Sequence, residues 1–339
     1  MNNIRIITCS DEHKDMFEYF IINKNTILVE KIDEKVGWWF DLIAEITNLI
    51  TNEKIYISIG SNKSFYYKMV ILAFDLYPKD EEYLDDENVP CDNLILKNGK
   101  IFDSTLVKEE DIHLDPEDIV ITMSSIIYTS SNYIHGSNTR SYFSSEERYN
   151  QTLYGLKRFI YFIPKCKIIL LEQSLDISDE KTHELLKYCD YIISYKNDSE
   201  NNYYSNMQPH NKGLGEIYVT LHFCELIKNK KFNIFCKVVG RYTPTSNFNF
   251  NDFLSGVPTI KAIPGYGRLG IICYTNFFTI PHKYFKAYLE HHKLWLSMDR
   301  KEVVENILTY FIESLPYIKI LPTIHIRGRN GMTGKYCYL

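Results

Sequence analysis

HNKGLGEIYVTLHFCELIKNKKFNIFCKVVGRYTPTSNF, residues 210–248, reads as a turn, a helix, a strand and a second turn in one run. Gly213 and Gly215 stand one residue apart in the opening turn, where glycine allows backbone conformations that bring the main chain close to a ligand. Ile217, Leu221, Cys224, Leu226 and Ile227 then recur at helical spacing. Asn229, Lys230 and Lys231 close that helix with cations at the negative end of its dipole. Residues 232–239 form an apolar run of strand length that carries Lys237 near its end and stops at Gly240, Arg241 and Tyr242. A glycine, a fixed cation and an aromatic at the carboxyl end of a buried strand is a common arrangement in α/β ligand sites. Each part has a plainer reading: a tight turn, a lysine reaching solvent, an arginine in a structural ion pair. Two such turns around one helix–strand unit favour a site.

Upstream, the same alternation repeats. Residues 118–123 read as a strand that passes into a polar loop, 128–144, holding His135, Gly136, Asn138, Arg140 and Ser141. Ser144, Ser145, Glu146 and Glu147 are a helix start with early acids, and Pro164 ends the helix. Residues 167–171 predict a second strand ending at Glu172, Gln173 and Ser174. Ser178 opens another helix through Leu185 and Leu186, and 191–195 is a third strand. Strands alternating with helices imply a parallel sheet whose ligands bind beyond the strand ends. That rule puts 124–140, 172–174 and 196–198 on one rim with 240–242.

Downstream, 270–274 predicts a strand, 275–281 leads into a helix at 284–296, and 301–311 is a further helix. His291 and His292 are adjacent and do not share a helix face, which argues against a metal pair. Residues 325–335 are rich in glycine and cations: either a frayed tail or a flap in which Arg327, Arg329 and Lys335 bind phosphate.

The first hundred residues read as a smaller α/β unit. Strands are expected at 4–9, 27–30 and 55–59, and helices at 38–50 and 65–76. Residues 60–64 lack Walker spacing. An acidic run at 80–87 reads as a solvated loop, and Asn98-Gly99 as a hairpin turn between 94–96 and 101–102. The division expected is 1–110, a small α/β domain, and 115–339, a larger α/β domain with a mixed sheet flanked by helices.

Composition sets outer bounds. The 339 residues are 45% apolar and 24% charged, which allows a full core. The net charge of −5 gives no basic field for nucleic acid. The eight cysteines include no Cys-x-x-Cys pair and read as small buried hydrophobes in a reducing compartment. The early acids exclude a signal pattern, and no uninterrupted apolar stretch reaches the ~20 residues of a membrane span. The expectation is a soluble cytoplasmic protein.

From about residue 118 onward the chain resembles GT-A-type glycosyltransferase domains of large DNA viruses and bacterial polysaccharide clusters. Four segments carry the resemblance: Arg140-Ser141-x-Phe143-Ser144-x-Glu146-Glu147-Arg148-Tyr149, Lys167-Ile168-Ile169-Leu170-Leu171-Glu172, Asn211-Lys212-Gly213-x-Gly215-Glu216 and Phe235-x-Lys237-x-x-Gly240-Arg241-Tyr242. It implies a GT-A-like, Rossmann-like fold, a UDP- or GDP-linked sugar donor and a glycan acceptor; a viral chain would act in the host cytoplasm. Carried over by position, Arg140, Lys212, Gly213, Gly215, Gly240, Tyr242, Arg327 and Lys335 would line the donor site. Glu216, Arg241 and Lys237 would be the catalytic residues. Gly240-Arg241-Tyr242 stands where many such enzymes carry Asp-x-Asp. A divalent Mn or Mg ion can stabilise the departing charge, with His325 the first residue to suspect as its ligand; so can lysine and arginine, and without that pair the reading leans to them. Glu172, Glu216, Asp299 and Glu305 are the candidates for a general base.

Overall fold

The computed structural model describes residues 94, 96–129, 141–204, 213–264, 271–297, 304–321 and 324–329, and the backbone of strands at 3–8, 27–31, 42–47, 54–59, 70–74 and 336–338. It divides into two compact units. Met1–Asp85, Ser255–Tyr274 and Leu308–Ile324 form the first; Asp86–Leu254, Thr275–Ile307 and His325–Leu339 form the second.

The first unit opens with β1 (Asn3–Thr8), β2 (Ile27–Lys31), β3 (Leu42–Thr47), β4 (Lys54–Ile59) and β5 (Val70–Phe74). They form a sheet in the order β2-β1-β3-β4-β5. β1 and β2 run parallel and the other pairings are antiparallel. Two expectations are corrected here. The segments read as helices at 38–50 and 65–76 contain β3 and β5 instead. Apolar runs of five or six residues carry no reliable period, and their β-branched residues, Ile43, Ile46 and Thr47 in one and Val70 and Ile71 in the other, suit a pleated strand.

The second unit is built on β6 (Lys100–Asp103), β7 (Ile119–Ser125), β8 (Cys166–Glu172), β9 (Tyr191–Ser194) and β10 (Ile234–Val239). β10, β7, β8, β9 and β6 are neighbours in that order, all parallel. The helices between them are α1 (Ser145–Phe162), α2 (Glu180–Leu186), α3 (Ser199–Asn202) and α4 (Gly213–Ile227). Next along the chain come β11 (Tyr242–Pro244), β12 (Thr259–Pro264), β13 (Ile271–Pro281), α5 (His282–Ser297), α6 (Val304–Ser314), β14 (Lys319–Leu321), β15 (Ile326–Arg329) and β16 (Tyr336–Tyr338), of which β12, β14, the start of β13 and the end of α6 belong to the first unit. The large sheet has the order β14-β12-β13-β10-β7-β8-β9-β6. β13 is antiparallel to β10, so the sheet is mixed and flanked by helices, as expected.

The expected hairpin at Asn98-Gly99 is not formed, because β6 pairs in parallel with β9. Lys97 and Lys100 donate their backbone N–H groups to Lys187 and Asp190 at 2.8 and 3.0 Å. Gly99 is small because backbone lies against it: a Cβ there would stand 3.1 Å from the Asp190 carbonyl and 2.9 Å from Leu186 Cδ1.

α1 begins where its capping residues place it. Ser144 accepts from the Glu147 N–H at 3.2 Å, and Glu147 Oε2 accepts from the Ser144 N–H at 2.8 Å. Alternate β10 residues face opposite layers. Facing Val238 across the ladder, Phe277 stacks on Phe159 of α1 at 6.0 Å between centroids and meets Phe253 at 5.0 Å. Phe235, on the other face, packs on Phe285 and Tyr288 of α5. Cys166, Cys189, Cys224, Cys236 and Cys273 are free and buried within these layers. No helix among the described residues is long and apolar enough to cross a membrane.

Candidate functional site

The parallel strands end level with one another. Ser125 lies opposite Glu172, Glu172 opposite Ser194, and Ser124 opposite Val239. This rim is where an open parallel sheet presents its ligands. Glu172 is wholly buried in it. Its Oε1 accepts from Ser174 Oγ at 2.5 Å and from the backbone N–H groups of Ser174, Leu175 and Ile127 at 2.8, 3.2 and 3.3 Å. Ser174 Oγ in turn accepts from Ile127 and Tyr128 at 2.8 Å. The carboxylate thus ties the loop after β8 to the loop after β7.

Cations gather at the same edge. Arg148, in the first turns of α1, is 2% exposed. It donates from Nε to the Ile126 carbonyl at 2.5 Å and from a terminal nitrogen to Ser141 Oγ at 3.0 Å. Burial pushes its guanidinium down to about 9, Arg241 lowers it further, and Glu172 opposes the fall. Arg241, half-buried just past β10, acts in the same direction on Lys237. Arg148, Arg241 and Lys237 are therefore electrostatic neighbours, with Arg241 common to both pairs. Like charges held together disfavour the charged forms, and an anion between them removes that cost.

Lys237 is spoken for. Its ammonium ion-pairs with Glu216 in the first turn of α4 and donates to the Thr275 carbonyl at 2.6 Å. Its side chain is 5% exposed and that of Glu216 24%. Burial holds Lys237 down to about 7; Glu305 raises it and Arg241 lowers it. Thr275 Oγ1 reaches Glu305 Oε1 of α6 at 3.5 Å. A buried lysine between two helix-borne carboxylates contrasts with the solvated strand-end lysine of the plainer reading.

The remaining expected residues fall in several places. Gly213 and Gly215 lie inside the first turn of α4 rather than in a turn before it. Among the described glycines only Gly256 has a left-handed φ, 71°. Gly240 gives its space to packing: a Cβ would meet the Ser124 carbonyl at 3.1 Å and Thr152 Oγ1 of α1 at 3.3 Å. Tyr242 is 4% exposed, and its strand β11 pairs antiparallel with β15, setting Thr243 opposite Arg327. Residues 326–329 of this stretch are thus paired beside Arg241 rather than frayed, Arg327 is buried there, and 330–335 lie outside the described residues. Arg140, Lys212 and Asp299 lie outside the described residues, and Lys335 does too. Asp198 is committed to capping α3 and to the hydroxyls of Tyr218 and Ser104. No group of three or more His, Cys, Asp or Glu among the described residues is arranged to hold a metal.

Gly328 of β15 links this tail to the rim. A Cβ there would stand 2.5 Å from Tyr242 Cδ1 and 2.7 Å from the Arg241 carbonyl. Gly328→Ala is expected to cost about 1–3 kcal/mol of stability by overpacking. Urea unfolding measures it, and an unchanged midpoint would mean that the tail does not hold Arg241 in place.

No family model matches the chain, and no curated protein matches it. Solved structures do. A 4-diphosphocytidyl-2C-methyl-D-erythritol synthase of Anaerococcus prevotii is 10% identical, with a TM-score of 0.36 over 61% of this chain and 87% of that one. A nucleoside-diphosphate-sugar pyrophosphorylase of Vibrio cholerae is 11% identical, with a TM-score of 0.35 over 61% and 93%. The glycosyltransferase GlyE of Streptococcus pneumoniae is 12% identical, with a TM-score of 0.36 over 60% and 45%. Likeness at this level carries no argument about chemistry, which has to come from the residues of the rim.

Proposed function

We propose that this chain is an enzyme that moves a sugar from a UDP- or GDP-linked donor to a hydroxyl of a glycan or glycoconjugate. One observation supports the reading most: Arg148, bonded to the Ile126 carbonyl just past β7, and Arg241, just past β10, belong to the carboxyl ends of adjacent parallel strands, with Lys237 within β10. In sugar transfer the bond from the anomeric carbon to the diphosphate breaks, and negative charge builds on the departing oxygen. Preorganised cations in a partly dry site stabilise that charge. Arginine forks suit paired phosphate oxygens, so the half-buried Arg241 is assigned the grip on the diphosphate, and Arg148, sealed and bonded to Ile126 and Ser141, adds field. Lys237 adds field rather than contact, and Arg327 supports the edge from β15. The four sequence segments that resemble GT-A glycosyltransferases add to this reading.

The missing Asp-x-Asp favours a second reading, a module that binds nucleotide sugars or glycans without turning them over. Calorimetry with UDP, GDP and their sugars, followed by a donor-hydrolysis assay with and without EDTA, separates the two. The expected result is binding of one nucleotide diphosphate and release of sugar that survives chelation. Binding with no turnover for any donor would favour the non-catalytic module. Release of pyrophosphate from a nucleoside triphosphate and a sugar phosphate would point to nucleotidyl transfer.

A further inference from the structure

Under the sugar-transfer reading, the hydroxyl that receives the sugar must lose a proton, and the ion pair on the α4 side of β10 is placed to take it. Lys237 enters the layer between the sheet and α4 opposite Thr122 of β7 and Phe278 of β13. Three directions converge on its ammonium. Glu216 of α4 is in contact, the Thr275 carbonyl of β13 lies at 2.6 Å, and Glu305 of α6 acts from beyond Thr275. Arg241 adds a positive field from the rim. α5 brings the titratable groups Tyr288, His291 and His292. Tyr288 lies on Phe235 and Phe278, and His291 meets the Ile307 carbonyl of α6 at 3.1 Å.

The exposures within the pair differ in a way a purely structural bridge does not need. The lysine is sealed, whereas about a quarter of the Glu216 side chain is open. Glu216 also sits in the first turn of a 15-residue helix, where the dipole favours a carboxylate. A cation fixed behind a partly open carboxylate keeps that carboxylate ionised and holds its orientation. We propose that Lys237 is a positioning residue, and that Glu216, ionised and oriented by it, is the base that takes the proton of the acceptor hydroxyl. The step balances. The acceptor oxygen bonds to the anomeric carbon as its proton passes to a Glu216 oxygen, and the electron pair of the broken bond leaves on the diphosphate. Lys237 touches neither sugar nor phosphate.

The test is the pH profile of kcat/KM for donor turnover in wild type, Lys237→Met and Glu216→Gln. Lys237→Met keeps length and removes charge. Its acid limb is expected to move up by about one pH unit, a roughly tenfold loss on the acid side, because a carboxylate without its cation is easier to protonate. Donor KM and nucleotide binding should change far less than the acid side of the profile, since Lys237 lends field but no contact to the diphosphate. Glu216→Gln is expected to lose about 10²–10⁴-fold in kcat with nucleotide binding intact. Should Lys237→Met not fold, carbon-13 labelling of lysine side chains follows the Lys237 titration in wild type and Glu216→Gln; the titration is expected to fall when the carboxylate goes. An unmoved acid limb, full turnover in Glu216→Gln, or an unchanged Lys237 titration would each overturn the proposal while leaving sugar transfer standing. Absence of turnover of any donor by wild type would sink the sugar-transfer reading, and this base with it.

Discussion

Arg241→Ala is expected to lower kcat for sugar transfer by about 10²–10³-fold, the usual effect of removing one preorganised donor from a developing anion. Nucleotide diphosphate affinity should fall as well, since the guanidinium is proposed to hold the diphosphate before and after bond breaking. Arg241 disfavours the charged forms of both Arg148 and Lys237, so removing it also relieves repulsion at two buried cations. Turnover and stability read together separate function from structure. A residue kept for a structural ion pair loses stability when it is cut, and turnover then follows the unfolded fraction. Arg241→Lys keeps the charge without the fork and is expected to recover only part of the loss. The measurements are steady-state kinetics and urea unfolding on the same preparations. Full turnover in Arg241→Ala would move the diphosphate away from this rim.

The architecture of the second unit was readable because its signals are local. The Ser144–Glu147 capping box fixed the start of α1, and the turn residues after each strand marked the edges of β7, β8 and β9. The first unit was misread where the signals were short. Leu42–Thr47 and Val70–Phe74 are apolar runs that fit one helix face or one strand equally well, and pairing with distant strands decides between them. β13 also outran its expected length, because Phe277, Phe278, Thr279 and Ile280 continue the ladder against β10 up to Pro281. At the site, Lys237 and Arg241 stood out as charges in or beside an apolar run. Arg148 did not stand out, although it lies within a quoted segment. A polar residue in the first turns of a helix reads as surface, and its burial depends on Ile126 and Ser141, which reach it from other loops. The ion pair of Lys237 with Glu216 was hidden because Gly213-x-Gly215 reads as a turn, whereas the helix already includes both glycines and aims Glu216 at the strand.

Acid should unfold this protein through His292, and replacing that residue should flatten the response. His292 is 3% exposed, and its Nδ1 lies 2.9 Å from the Tyr288 carbonyl, so Nδ1 carries the hydrogen in the neutral ring. Burial pushes its imidazolium down to about 3; the neighbouring His291 adds to the fall, and the bond to Tyr288 opposes it. In the unfolded chain the same ring titrates near 6.5. Between those values the unfolded state holds a proton that the folded state does not. Stability is therefore complete above about pH 6.5 and is lost as the pH falls toward 3, by roughly 1.4 kcal/mol for each pH unit. The accumulated loss near pH 3 is about 5 kcal/mol, a large part of the ~5–15 kcal/mol that holds a typical domain. His291, half-buried and also lowered by burial, acts in the same direction. His292→Asn keeps a donor for the Tyr288 carbonyl and cannot titrate. It is expected to be less stable than wild type at pH 8, because the smaller side chain leaves space beside Tyr288. Its deficit should then shrink steadily from pH 6.5 downward, as wild type alone pays for protonation. Urea midpoints at pH 8, 6, 5 and 4 give the comparison, in which carboxylates common to both proteins cancel. A deficit that stays constant across those pH values would mean that His292 keeps its charge in the fold, and that the α5–α6 layer around it admits a proton.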